Sequence, residues 1–197
     1  AEAALLATAQ RACLAGVPRC QIISFSDDCA LLEELFTHDG SGTLVANDDY
    51  EQSRVATIDD VGGILELIEP LEQEGVLLKR SRELLETEIS QFRLLERDGR
   101  IIACAALYPF AEAGCGEIAC IVSHPDYRGG RRGQRLLQDL ESEARRQQLQ
   151  RVFVLTTQTA HWFIEQGFVE ASLAELPEQK QSLYNLQRNS KVFFKQL

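Results

Sequence analysis

Residues 121–133, Ile-Val-Ser-His-Pro-Asp-Tyr-Arg-Gly-Gly-Arg-Arg-Gly, constrain the fold more than any other stretch of the chain. An apolar strand over 117–123 leads into them, and a helix repeating Leu136, Leu137, Leu140 and Ala144 leads out. A strand that passes through a Gly/Arg loop into a helix makes an anion site. The amides of the first helical turn lack intrahelical partners and point outward. Gly129, Gly130 and Gly133 remove side chains where a phosphate must approach the backbone, and Arg128, Arg131, Arg132 and Arg135 add positive charge. A small phosphorylated ligand is the expected occupant.

The charge balance narrows the partners. The chain has 197 residues and a net charge of −10. Residues 1–52 hold nine acids against two bases, and the remainder holds 21 against 18. Nucleic acid and anionic membrane surfaces reward neutralisation of phosphate, so neither is an expected partner. No apolar run approaches the ~18 residues of a membrane span, and the mildly apolar start lacks the basic residues of a signal peptide. The six cysteines form no C-x-x-C pair and have no histidine at ligand spacing, so free thiols in a reduced cytoplasm are expected and no metal.

Two parts are expected, 1–52 and 53–197. The first reads as a helix from Ala3 to Leu14, a strand over 21–26, a helix through Leu31 to Phe36 capped by Asp27 or Asp28, and a strand over 43–46. The polar run 47–51 follows as a linker. The second part opens with a strand over 54–58 and a helix begun by Asp59 or Asp60 that places Ile64, Leu67 and Ile68 on one face. Ser81 caps another helix, with Glu83 in its first turn. Asp98-Gly99 predicts a tight hairpin between strands 92–96 and 101–108. Further strands are expected over 152–155 and 192–194, with a helix over 160–166 between them.

The run Arg128 to Gly133 resembles the R/Q-x-x-G-x-G/A loop of the GNAT acetyltransferase superfamily, with Arg131 in place of the middle glycine. More specifically, Gly116-Glu-Ile-Ala-Cys120 and Leu155-Thr-Thr-Gln-Thr159 with Trp162-Phe163 resemble bacterial N-acetylglutamate synthases. Gly62 to Ile68, Lys79-Arg-Ser-Arg82 and Leu183 to Ser190 share that resemblance, which therefore covers 53–197. Ala30 to Phe36 and Asp39 to Thr43 resemble the end of the amino-acid-kinase-like domain that precedes the acetyltransferase in that family. The resemblance implies an α/β GNAT fold, with a mixed, mostly antiparallel sheet flanked by helices. It also implies acetyl transfer from acetyl-CoA to the α-amino group of L-glutamate, the first step of arginine biosynthesis, in the cytoplasm. A homo-oligomer is compatible with the resemblance but not specified by it. Two competing readings keep the fold: an acetyltransferase for another amine, or a catalytically silent regulatory fragment.

Residue roles follow from the chemistry and the resemblance together. An ammonium has no lone pair, so the amine must lose a proton before it attacks a thioester. The resemblance places the base on Glu117. It places the donor to the leaving thiolate on Thr156, with Tyr184 as the alternative. The backbone of Cys120, Ile121 and Val122 would polarise the thioester carbonyl. The loop Arg128, Gly129, Gly130, Arg131, Arg132 and Gly133 would hold the cofactor phosphates. Arginine matches carboxylate geometry, and the resemblance assigns the substrate carboxylates to Arg80, Arg188 and Ser190, with Lys79 nearby. Cys120 as a covalent nucleophile is the less favoured route, because Ala119 and Ile121 offer it no base.

Overall fold

The structure, a computed structural model, describes residues 2–37, 40–46, 51–128, 131–182 and 190–197. It divides into two compact units, Ala1–Tyr50 and Glu51–Leu197. In the first, helix α1 (Glu2–Leu14) packs on an antiparallel pair, β1 (Arg19–Ile22) and β2 (Thr43–Ala46), with α2 (Ala30–Phe36) between the strands in sequence. Cys13 is buried on the inner face of α1, and its thiol donates to the Val45 carbonyl at 3.3 Å. Strand β1 lies earlier than the expected 21–26 because its register ends at Ile22 opposite Thr43. There Gly42, at φ 117°, comes so close that a Cβ would sit 2.2 Å from the Ile22 carbonyl oxygen. Helix α2 is not capped by an aspartate side chain. Cys29 stands at the N-cap with φ 71°, and Asp27 contributes its backbone carbonyl to Ala30 instead.

The second unit is a seven-stranded sheet with helices on both faces. Its elements are β3 (Gln52–Val55), α3 (Val61–Gln73), α4 (Arg82–Glu88), β4 (Phe92–Arg97), β5 (Arg100–Phe110), β6 (Cys115–Ser123), α5 (Arg132–Arg146), β7 (Arg151–Thr156), α6 (Ala160–Glu165), β8 (Val169–Ala171), α7 (Glu178–Ser182) and β9 (Lys191–Gln196). The strand order is β3-β4-β5-β6-β7-β9-β8, and every pairing is antiparallel except β6 with β7. Asp98 and Gly99 both take positive φ, 49° and 75°, as a two-residue hairpin between β4 and β5 requires.

Strand alternation sorts the core into two layers. Ala103, Ala105 and Leu107 of β5 point to the layer built with Leu136, Leu137, Leu140 and Ala144 of α5. Cys104 and Ala106 point to the opposite layer, with Val61, Ile64 and Ile68 of α3 and Leu85 of α4. At Ser81 the side chain accepts from the Leu84 amide at 3.2 Å and starts α4 as expected.

Strand β3 ends at Val55 rather than continuing to 58, because Thr57 and Asp60 form a capping box around a 3₁₀ turn ahead of α3. Asp60 accepts two guanidinium bonds from Arg54, each 2.7 Å, and a 2.7 Å bond from the Thr57 amide. Arg54 foremost, with Thr57, holds the Asp60 carboxyl well below the usual carboxylate range. A depressed folded-state value contributes stability above the unfolded carboxylate pKa of ~3.9, and that contribution is lost as pH falls below it. Asp60→Asn should therefore lower the melting temperature at pH 7. Between about pH 5 and 3 it should lose less further stability than the parent chain does. Melting curves across that range check this, and parallel acid limbs would contradict it.

Candidate active site

The parallel pair at the centre of the sheet is incomplete. Strand β6 pairs with β7 only through Cys115, Gly116 and Glu117, opposite Arg151, Val152 and Phe153. Beyond those residues the ladder stops and the two strands diverge. On its other edge β6 carries a bulge: Val122 faces Cys104 and Ala119 faces Ala106, so Cys120 and Ile121 together oppose Ala105. Cys120 takes φ 52°, the left-handed region that a residue with a Cβ seldom enters. The bulge changes the phase of the strand. Ala119 and Cys120 both pack toward α3, whereas Ile121 packs toward α5.

The wedge between the diverging strands is a cavity of about 400 Å³. It is walled by 118–123 of β6, 154–159 at the end of β7, and Leu71, Leu77 and Arg128. A second cavity of about 510 Å³ adjoins it and shares Ile121, Ser123, Arg128, Thr159 and Phe163 in its wall. Arg131, Gly133, Gln134, Trp162 and Gln166 complete the second one. The N-terminal end of the 15-residue α5 stands at this cavity, so its positive dipole end and outward amides face the space. A Cβ at Gly133 would stand in van der Waals contact with the Trp162 ring, at 3.4 Å.

The arginines of the loop divide the work. Arg128 and Arg131 are exposed and line the cavities. The Arg132 side chain is engaged with the protein itself. Its guanidinium bonds Glu51, donates to the Tyr127 carbonyl at 2.6 Å and lies 5.5 Å over the Tyr127 ring. These contacts tie the start of α5 to Glu51 and Tyr127. Gly129 and Gly130 lie outside the described residues.

On the α3 side of the wedge the structure gathers a charged cluster. The register places Tyr108 of β5 opposite Glu117 of β6, so both side chains stand on the face shared with Ala119 and Cys120. Glu117 is 7% exposed, and Lys180 of α7 bonds its carboxylate at 2.6 Å. The Tyr108 hydroxyl donates to Glu88 at 2.8 Å, and Arg80 reaches the same phenol and the neighbourhood of Cys120. The Arg80 backbone is fixed by its amide, which donates to Glu72 at 2.9 Å. Burial foremost pushes the Cys120 thiol up to about 11, with the Glu117, Glu72 and Glu88 charges adding to the effect against Arg80. A thiol held there stays protonated near neutral pH and is a poor nucleophile.

Thr156 is buried at the end of β7 on the wedge. Its oxygen accepts from the Thr159 amide at 3.0 Å, and the two threonine hydroxyls are 2.9 Å apart. Lys79, expected near the substrate, is exposed, whereas the adjacent Arg80 is half-buried, with its guanidinium donating to the Leu78 carbonyl at 3.1 Å and lying near Tyr108; neither residue lines either cavity. Ser190 is half-buried and precedes Lys191, the register partner of Thr156. Tyr184 and Arg188 lie outside the described residues. Reading the sequence missed Tyr108, Glu88 and Lys180. The Asp98-Gly99 hairpin constrains β4 and β5 but carries no information on the β5–β6 register that pairs Tyr108 with Glu117. Among the described residues no group of three or more His, Cys, Asp or Glu could hold a metal ion, and no helix is long and apolar enough to cross a membrane.

A bulged strand, a half-open parallel pair and a loop feeding a helix N-terminus together define an N-acetyltransferase type of fold. The acetyltransferase (GNAT) family model matches residues 62–168, and the chain belongs to that family. Over 196 residues it is 57% identical to the amino-acid acetyltransferase of Pseudomonas fluorescens, covering 100% of this chain and 45% of that protein. The N-acetylglutamate synthase of Neisseria gonorrhoeae complexed with coenzyme A and L-arginine superposes with a TM-score of 0.84. It is 44% identical and covers 98% of this chain and 44% of that one. The same enzyme complexed with coenzyme A and N-acetyl-glutamate gives a TM-score of 0.74 at 45% identity, over 97% of this chain and 45% of that one. The chain thus spans a little under half the length of these relatives.

Proposed function

We propose that this chain carries an N-acetyltransferase that moves the acetyl group of acetyl-CoA to the α-amino group of L-glutamate by direct attack in a ternary complex. The observation that carries the reading is the arrangement on one face of the sheet at the bulge. A buried carboxylate, Glu117, and a half-buried guanidinium, Arg80, lie beside Tyr108 near Cys120. An amino acid brings an ammonium and a carboxylate to such a pair. The relatives named above, one an amino-acid acetyltransferase and one holding coenzyme A with N-acetyl-glutamate, support the same chemistry.

Acetyl-CoA suits the residues present. Its phosphates match the amides at the start of α5 and the exposed Arg128 and Arg131. Its amide-bearing arm matches the edge of β6 that β7 leaves unpaired. In the reaction the substrate ammonium gives its proton to Glu117, and the freed amine attacks the thioester carbonyl. The backbone of Cys120 to Val122, turned by the bulge, donates to the developing oxyanion. The thiolate leaves and takes a proton from Thr156, as the resemblance implies, or from Tyr184 as the alternative. Arg188 and Ser190 join Arg80 on the substrate carboxylates in this reading, and the reaction takes place in the cytoplasm. Residues 1–52 are read as the end of an amino-acid-kinase-like domain.

The test is selectivity. With acetyl-CoA held constant, kcat/KM for L-glutamate should exceed by about 10-fold or more that for L-glutamine, which lacks the side-chain charge, for L-aspartate, which is one methylene shorter, and for spermidine, which has no carboxylate. A preference for spermidine would replace glutamate with a polyamine. Acetyl-CoA turnover with none of them would make the chain a silent fragment.

A further inference from the structure

Glu117 raises a physical problem that its own strand does not solve. Charge taken out of water needs a partner of opposite charge close by. A base has to start ionised. Among the described residues, the group bonded to its carboxylate is the Lys180 ammonium, at 2.6 Å, and the Lys180 side chain is itself only 18% exposed.

Lys180 is held in place by a built element rather than by chance. Helix α7 begins after Pro177, whose carbonyl accepts from the Lys180 and Gln181 amides at 2.8 and 2.9 Å. The Gln181 side chain reaches back to the Leu176 carbonyl at 2.7 Å and the Ala174 carbonyl at 3.3 Å. Leu176 is buried with Cys115, Phe153 and Phe194. Phe153 is the β7 register partner of Glu117, so one apolar cluster fixes both the carboxylate's strand and the helix that presents the lysine.

We propose that Lys180 is a positioning residue for the acid–base step. Its ammonium pairs with the Glu117 carboxylate and aims it until the substrate ammonium arrives as the new partner. The proton then passes from the substrate nitrogen to the Glu117 oxygen, leaving a neutral amine and a carboxylic acid. Lys180, already an ammonium, takes no proton and keeps its charge throughout. This inference rests on the reading that Glu117 is the base.

Lys180→Met keeps the length of the side chain and removes its charge, whereas Lys180→Arg keeps the charge. Both are to be measured in the full chain from low to high pH, in the parent and in the Glu117→Gln background. The other titratable groups nearby, namely Tyr108 and Cys120 beside Glu117 and Arg80, Glu72 and Glu88 around those two, are unchanged in every arm. Lys180→Met should lower kcat at neutral pH about tenfold or more and move the acidic limb of the kcat profile to higher pH, with the KM for acetyl-CoA unchanged. Lys180→Arg should restore the limb. In the Glu117→Gln background Lys180→Met should have no further effect.

An unmoved limb, or an equal fall in both backgrounds, overturns the proposal. So does lost acetyl-CoA affinity, which would make Lys180 part of the scaffold. If the parent chain acetylates another amine in place of glutamate, only the glutamate reading fails, and the same cycle is read with that amine. If it acetylates none, both fail.

Discussion

Glu117→Gln is expected to lower kcat by about 10²–10⁴-fold while leaving the affinity for acetyl-CoA nearly intact. Glutamine fills the same space between Tyr108 and Phe153 and retains an amide oxygen for the Lys180 ammonium, so the strand and its bulge persist. What it cannot do is accept a proton. Raising the pH should recover part of the lost rate, because more of the amine then arrives without its proton. Rates across pH together with calorimetric binding of acetyl-CoA separate the outcomes. Parent-like rates would assign proton removal to solvent. A collapse of acetyl-CoA binding would make Glu117 a prop for the wedge.

Arg80→Ala should raise the KM for glutamate by roughly 10–150-fold, the equivalent of a charge-assisted hydrogen bond worth about 1.5–3 kcal/mol. The acetyl-CoA KM should not follow, since the cavity with Arg131 and the start of α5 has no Arg80 in its wall. Arg80→Lys should recover only part of the loss, because an ammonium cannot reproduce the planar fork that meets a carboxylate with two parallel bonds. Equal weakening of both substrates would show that Arg80 supports Tyr108 and Cys120 rather than binding substrate. An unchanged glutamate KM would remove it from the acceptor site.

Much of this arrangement is legible in the sequence because its signals are local. Ser81 three residues before Leu84, Asp98-Gly99 between two apolar runs, and the leucine repeat of α5 each depend on neighbours within a turn or a hairpin. The loop from Arg128 to Gly133 is of the same kind. What escapes the sequence depends on distant partners. The bulge at Cys120 is hidden because Ile118 to Val122 are all apolar, and a strand buried on both faces shows no change of phase. Nothing in a cluster of arginines distinguishes Arg131, which lines a cavity, from Arg132, whose partner Glu51 lies 81 residues away.

Strand β8 and helix α7 are three and five residues long, too short for periodicity to reveal. Lys180 in particular sits in a polar run, Glu-Gln-Lys-Gln-Ser, that reads as solvent-exposed until tertiary packing lays it over Glu117. The early strand β1 was displaced for a similar reason: the length of β2 and the close approach at Gly42, not apolar composition, determine where it ends.

The central claim is direct transfer of acetyl from acetyl-CoA to the glutamate amine, with Glu117 as base and Cys120 as backbone only. It is tested most directly by initial rates of N-acetylglutamate formation, measured by mass spectrometry while both substrates are varied. Intersecting double-reciprocal lines are expected, with no acetyl group left on the protein after exposure to acetyl-CoA alone. Parallel lines with an acetylated Cys120, or acetyl-CoA consumption that yields no N-acetylglutamate, would contradict it.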